Sequence, residues 1–209
     1  MEIQRVWAAY FSPTGTTEKI VTHIAEHLAK PIEHPVLYFD FTLPPARQEA
    51  KRFLKSDLVV FGVPVYAGRV PNVLLKYLNT LEGNGAQAVP VVLFGNRNYD
   101  EALKELRNLL ELRGFQTVAA GAFVGEHAFS YTLGKGRPDY ADLSVASEFA
   151  RRIFAVLRTG QVISPVRLDN EGPLGGYYQP RDQDGNPIDI RKVRPKTRDT
   201  CTDCGYCAQ

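Results

Sequence analysis

Apolar and polar positions along the first ~160 residues follow two alternating periods, and each run predicts one element. Arg5 to Phe11 (RVWAAYF) is a short apolar run, suited to a strand buried on both faces. From Thr17 to Ala29, Ile20, Val21, Ile24, Ala25 and Leu28 recur at helical spacing. Val36 to Phe41 predicts a second strand and Pro45 to Leu54 a short helix. Asp57 to Val65 (DLVVFGVPV) is the strongest strand pattern in the chain, and Val73 to Leu81 has a helical one. Val89 to Phe94 predicts a fourth strand, followed by an amphipathic helix from Tyr99 to Arg113. Phe115 to Val124 reads as an uninterrupted fifth strand and Tyr140 to Leu157 as the closing helix.

Five β–α units imply a parallel sheet with helices on both faces. Right-handed crossovers favour a doubly wound α/β fold, with strand order 2-1-3-4-5 or a Rossmann variant. Such folds bind ligands beyond the carboxyl ends of the strands, where the strand order reverses. Three segments are expected: a domain over residues 1–160, an extended linker or arm over 161–200, and a separate beginning at 201–209. The middle segment is rich in Pro, Gly, Asp and Arg, without sustained period. Its end carries Arg191, Lys192, Arg194, Lys196 and Arg198, read as a solvated linker or a docking patch for an acidic partner.

Composition narrows the function classes. Hydrophobic residues make up 44% of 209, enough for a substantial core. A net charge of +2, from 25 basic and 23 acidic residues, argues against nucleic acid as the main partner. No apolar run approaches the ~20 residues of a membrane span. Met1-Glu2-Ile3 leads directly into an apolar stretch with no basic region or cleavage site, so the expected compartment is the cytoplasm.

Between the first strand and helix lies Ser12-Pro13-Thr14-Gly15-Thr16-Thr17. Free backbone N–H groups and the positive end of a helix dipole converge at such a place. Gly15 permits positive φ, and Ser12, Thr14, Thr16 and Thr17 offer hydroxyls without a lysine. A P-loop would read G-x-x-x-x-G-K-[ST] and a dinucleotide loop G-x-G-x-x-G, and neither stands here. Gly83-Asn84-Gly85-Ala86-Gln87-Ala88 loosely fits the second form, but it follows a helix and precedes a strand, so it reads as a helix stop and turn. A plain helix cap is the bland alternative for residues 12–17. The loop resembles the phosphate loop of flavodoxins, which grips the terminal phosphate of FMN.

With the phosphate at strand one, the flavin ring is expected across the loops after strands three and four. These are Pro64-Val65-Tyr66-Ala67-Gly68-Arg69 and Gly95-Asn96-Arg97-Asn98-Tyr99-Asp100. Tyr66 and Tyr99 can stack on a planar ring, and Asn96, Asn98 and nearby amides can hydrogen-bond its polar edge. Core packing for Tyr66 and a helix start for Tyr99 are the alternatives. Taken together, the three loops resemble the flavodoxin domain of bacterial fused flavodoxin–ferredoxin proteins, over about residues 5 to 160. That likeness implies a flavodoxin-like three-layer α/β/α sandwich of the short-chain type, with order 2-1-3-4-5 and FMN as cofactor. Free flavodoxin carriers commonly place acidic residues and a tryptophan around the ring. Here the only tryptophan, Trp7, lies inside strand one, and Arg69 and Arg97 flank the expected ring site. Their charges are expected to ease the second reduction step, and Gly68 could let its peptide turn a carbonyl toward the flavin N5–H. His127, in the loop after strand five, is a candidate proton donor near the ring or an ordinary surface histidine.

All three cysteines fall at the end: Cys201-x-x-Cys204-x-x-Cys207. This is the first part of the C-x₂-C-x₂-C-x₃-C-P run of bacterial ferredoxins. A [4Fe–4S] cluster is therefore expected only in a longer chain that supplies further cysteines, with zinc as the competing ligand. The leading expectation is FMN-dependent electron transfer between the flavin and a ferredoxin-type module or an external redox partner. The alternative is a flavodoxin-like NAD(P)H- or quinone-dependent oxidoreductase, and a scaffold without flavin is the third. No side chain stands out as nucleophile or general base.

Overall fold

The structure, a computed structural model, describes residues 3–130, 132–160, 164–189 and 196–206. It divides into two compact units, Met1–Gly175 and Gly176–Gln209. The first is built on a parallel sheet: β1 (Arg5–Tyr10), β2 (Val36–Asp40), β3 (Asp57–Pro64), β4 (Gln87–Phe94), and a fifth position filled by β5 (Gln116–Thr117) and β6 (Gly121–Val124). The order is β2-β1-β3-β4-β5, with β6 also pairing with β4, which is the flavodoxin-like α/β arrangement. The order reverses between β1 and β3, whose chains run in register from Arg5↔Asp57 to Tyr10↔Gly62.

Helices α1 (Thr16–Ala29) and α4 (Tyr140–Thr159) cover one face; α2 (Leu75–Leu78) and α3 (Ala102–Leu112) lie on the side of the other core cluster. Under α1 and α4, Ile20, Ile24, Leu28, Ala146, Ala150 and Ile153 pack on Val6, Ala8, Val60 and Val91. Each large aliphatic side chain buried this way is worth about 1.5–3 kcal/mol. The opposite cluster is aromatic, with Phe41, Phe53, Phe61 and Phe115 fully buried. Trp7 meets Phe53 edge-on at 5.6 Å between ring centroids, and the Lys51 ammonium sits 4.2 Å from the Trp7 ring centre.

Three expected elements differ in the structure. Over Pro45–Leu54 the helix reduces to a 3₁₀ turn, Pro44–Arg47. Beyond it the Phe53 amide donates to Glu82 O (2.9 Å) and the Glu82 amide to Lys51 O (3.1 Å). The backbone is thus paired laterally, away from an i−4 carbonyl. The helix over Val73–Leu81 shortens to a 3₁₀ turn, Asn72–Leu74, and the single turn α2. Leu75 O still accepts its helical partner, the Asn79 amide (3.1 Å), but the Thr80 amide turns to Tyr77 O (2.8 Å), which Thr80 Oγ1 also reaches, so the helix tightens into an i−3 turn and stops.

The fifth strand is broken. Ala88 pairs with Thr117 and Val91 with Gly121, so four steps of the fifth strand face three of β4. The extra residue forms a bulge beside Pro90, which has no N–H to offer a ladder. The basic residues Arg191, Lys192 and Arg194 lie outside the described residues.

The first unit does not end with α4. Residues 164–175 form a strap along α3: the Val166 amide donates to Thr117 O (3.0 Å), Arg107 holds the Glu171 carboxylate at 2.6 and 2.7 Å, and Lys104 Nζ donates to Gly172 O (2.9 Å). In the second unit, residues 180–188 close a small hairpin, with the Ile188 amide donating to Pro180 O (2.8 Å). The Asp182 carboxylate accepts from the amides of Asp184 and Asn186 inside its turn.

Candidate functional site

The loop after β1 is organised around its own hydroxyls. Ser12 Oγ accepts from the Glu18 amide (2.9 Å), Thr42 Oγ1 accepts from the Ser12 amide (2.8 Å), and Thr14 and Thr16 hydroxyls lie 3.3 Å apart. Gly15 has φ 78° and precedes α1, and a Cβ there would meet nothing within 4 Å. The amides of Thr14, Thr16 and Thr17 have no partner among the described residues. Three donors at one helix start, with open space over Gly15, fit a phosphate group.

The loop after β3 is a two-residue reversal. Tyr66 and Arg69 exchange backbone hydrogen bonds (2.9 and 3.1 Å) across Ala67 (φ 49°) and Gly68 (φ 77°). The left-handed backbone at position 68 favours glycine, and a Cβ there would lie 2.4 Å from an Asp100 carboxylate oxygen, so Asp100 would have to move. Gly68 O accepts from the Glu101 amide (3.0 Å), which ties this turn to the loop after β4. Pro64 and Val65 continue β3, with the Val65 amide donating to Leu93 O (2.7 Å). Ala67 is exposed. The Tyr66 ring is 46% exposed, and its partial burial raises the phenol pKa.

In the loop after β4, Asn96 has φ 58° and Asp100 φ 42°, and Asn98 Oδ1 accepts from the Asp100 amide (2.9 Å). Asn96, Arg97 and Asn98 are exposed, while Tyr99 is half-buried against Phe94, 5.5 Å between ring centres. His127, half-buried, packs on Gly95: a Cβ at Gly95 would lie 2.6 Å from the His127 ring. His127 Nδ1 accepts from the Phe129 amide (3.1 Å), so the neutral ring carries its proton on Nε2. The same loop presents Phe129, 95% exposed, and is pinned by Lys19 Nζ donating to Pro138 O (2.6 Å). Asp139 then caps α4, its carboxylate accepting from the amides of Ala141 (2.9 Å) and Asp142 (3.1 Å).

Arg69 sits differently from Arg97. Arg69 is 6% exposed, and its guanidinium grips Glu105 at 2.8 and 3.0 Å, with a further bond to Gly175 O (2.7 Å). Glu105 also accepts from the Val70 amide (2.9 Å). Arg97 is exposed, 3.9 Å from Asp100. The carboxylate of Asp100 beside Gly68 and the Glu105 carboxylate holding Arg69 offset the positive charge that the sequence places in these two loops. Glu105 carries no local signal for this role, since a buried charge on α3 looks from the sequence like a solvated helix face, and Asp100 and Glu101 read as ordinary residues before that helix.

In the second unit, Cys201 and Cys204 are exposed free thiols. The Tyr206 amide, then the Thr202 hydroxyl, lower the pKa of the Cys204 thiol. Cys207 lies outside the described residues. No group of three or more His, Cys, Asp or Glu able to hold a metal occurs among the described residues. No helix among them is long and apolar enough to cross a membrane.

A doubly wound parallel sheet with a hydroxyl-rich loop after β1 and tyrosine-bearing loops after β3 and β4, all at the carboxyl ends of the strands beside the order reversal, is the flavodoxin-like class of α/β domain. The chain belongs to the flavodoxin-domain family, whose model matches residues 8–128. Solved structures agree on the fold. The flavodoxin of Streptococcus pneumoniae TIGR4 is 18% identical, with TM-score 0.50 over 72% of this chain and 97% of that one. Flavodoxin 2 of Bacillus cereus is 20% identical, with TM-score 0.52 over 72% and 97%. The rubredoxin oxygen:oxidoreductase of Desulfovibrio gigas is 19% identical, with TM-score 0.52 over 76% of this chain and 37% of that one. Among curated proteins no match is found.

Proposed function

We propose that the chain binds FMN and serves electron transfer, passing electrons between the flavin and a ferredoxin-type module or an external redox protein. The observation that carries this reading is the set of three partnerless amides, of Thr14, Thr16 and Thr17, at the start of α1. They suit a phosphate and carry no lysine suited to a triphosphate. FMN, when bound, takes up electrons singly or in pairs. In this reading Ser12, Thr14, Gly15, Thr16 and Thr17 hold its phosphate. Tyr66 and Tyr99 flank the ring, and the loops 64–69 and 95–99 bond its edge. His127, packed on Gly95, is the candidate proton donor near the ring. Cys201, Cys204 and Cys207 would contribute thiolates to a [4Fe–4S] cluster completed by further cysteines.

An anaerobic reductive titration of the FMN-reconstituted chain, followed by absorbance, tests the reading. Flavin bands that bleach without NAD(P)H consumption are expected. A chain that stays colourless with excess FMN overturns it. The exposed Phe129 beside His127 favours one second reading, a reductase whose small-molecule substrate enters under this loop. Steady NAD(P)H or quinone turnover by the isolated chain would select it.

A further inference from the structure

The strap and the ring-side turn meet in one residue. Glu101 donates its backbone N–H to Gly68 O (3.0 Å), while its Oε2 accepts from the Gly175 amide (2.8 Å) and its Oε1 from Lys104 Nζ (3.1 Å). Lys104 donates in turn to Gly172 O, and Arg69, which closes the turn, donates to Gly175 O. The strap's last residues therefore hold both ends of the reversal at 66–69: Gly68 through Glu101, and Arg69 directly. Lys104 and Arg107, both buried, bond to the strap at Gly172 O, Val166 O and the Glu171 carboxylate. Charged side chains withdrawn from water keep their place only while their partners stay.

We propose that Glu101 is a positioning residue through which the strap 164–175 sets the turn that receives the flavin ring, so that strap docking and FMN binding reinforce each other. This deepens the FMN reading above and rests on it. Linkage makes the effect reciprocal: a flavin that favours the anchored turn favours the docked strap by the same factor. The Glu171–Arg107 pair is the strap's remote fastening, and it touches none of the loops assigned to FMN.

Two measurements on the full chain test this. In hydrogen exchange, FMN is expected to slow the Gly175 and Val166 amides. In fluorescence titration, Glu171→Lys, which sets a cation against Arg107 and Lys104, is expected to weaken FMN binding by about tenfold, within the usual range of coupling between sites. FMN that binds the parent chain but leaves strap exchange unchanged, with Glu171→Lys within twofold of the parent, overturns the coupling and leaves the FMN reading standing. A parent chain that binds no FMN overturns both. The exchange experiment needs no variant, so a poorly folded Glu171→Lys does not shelter the proposal.

Discussion

The two faces of the sheet solve the same covering problem by opposite means. On one face, α1 and α4, of 14 and 20 residues, lay apolar stripes directly on the strands. The other has an 11-residue α3 and a single-turn α2, and it is completed by a strap that bonds the buried Arg69, Lys104 and Arg107. Apolar cover needs no specific partner, so the first face is held by local sequence. The second depends on residues more than 60 positions away, such as Glu171 for Arg107, and its order is conditional on them. The conditional face bears the ring-side turn.

The largest effect expected from breaking this contrast comes from Glu105→Ala. It takes the bidentate carboxylate from the buried Arg69, leaving only weaker partners such as Gly175 O, and is expected to cost about 3 kcal/mol in urea unfolding. A cost under about 1 kcal/mol would mean that the ion pair does not hold the strapped face. On the helical face, Leu28→Ala should cost about 2–5 kcal/mol through the cavity it leaves, with FMN affinity unchanged. Loss of FMN affinity there would erase the distinction between the faces. Gly68→Ala is a smaller insult to folding, about 1–2 kcal/mol for a left-handed residue, plus displacement of Asp100. Its main effect is expected on FMN affinity, read by flavin fluorescence.

Acid separates the faces more gently. Arg107, and then the Leu168 amide, hold the Glu171 carboxyl down to about 2 from its usual 4.5. The unfolded chain binds this proton more readily, so the contribution is complete above pH 4.5 and fades as pH falls toward about 2. Glu171→Gln should flatten that stretch of the stability profile. On the helical face, burial and then the neighbouring His27 lower the pKa of His23. Its Nε2 lies 2.7 Å from Ser147 Oγ, at the seam between α1 and α4. A neutral folded histidine resists protonation, so its contribution is present above pH 6.5 and lost as pH falls below it. His23→Gln should remove that slope, and an unchanged slope would assign it elsewhere.

The sheet order and the two long helices were legible because period and burial coincide there. In β3, Asp57–Pro64, every residue but the last is buried, and the run is correspondingly apolar. The hydroxyl-rich turn before α1 was legible because its residues are contiguous in the chain. The short helices were not, since α2 stops where the Thr80 amide and hydroxyl both turn to Tyr77 O, a local choice that apolar period does not encode. Nor was the fate of Arg69: a guanidinium beside a ring and one clasped by Glu105 share the same local sequence, and Glu105 is 36 positions away. Gly175 has no neighbourhood signal at all, and only the three-dimensional course of the strap brings it to Glu101.

The irregular fifth strand has a consequence for behaviour in concentrated solution. An outermost strand normally offers a row of open amides and carbonyls to any other chain, which invites intermolecular pairing. Here the row is interrupted beside Pro90, and Thr117 O is already taken by the Val166 amide. The bulge and the strap thus act together as a guard against strand-to-strand self-association. A chain shortened before residue 164 would lose half of that guard and is expected to precipitate at concentrations the longer chain tolerates.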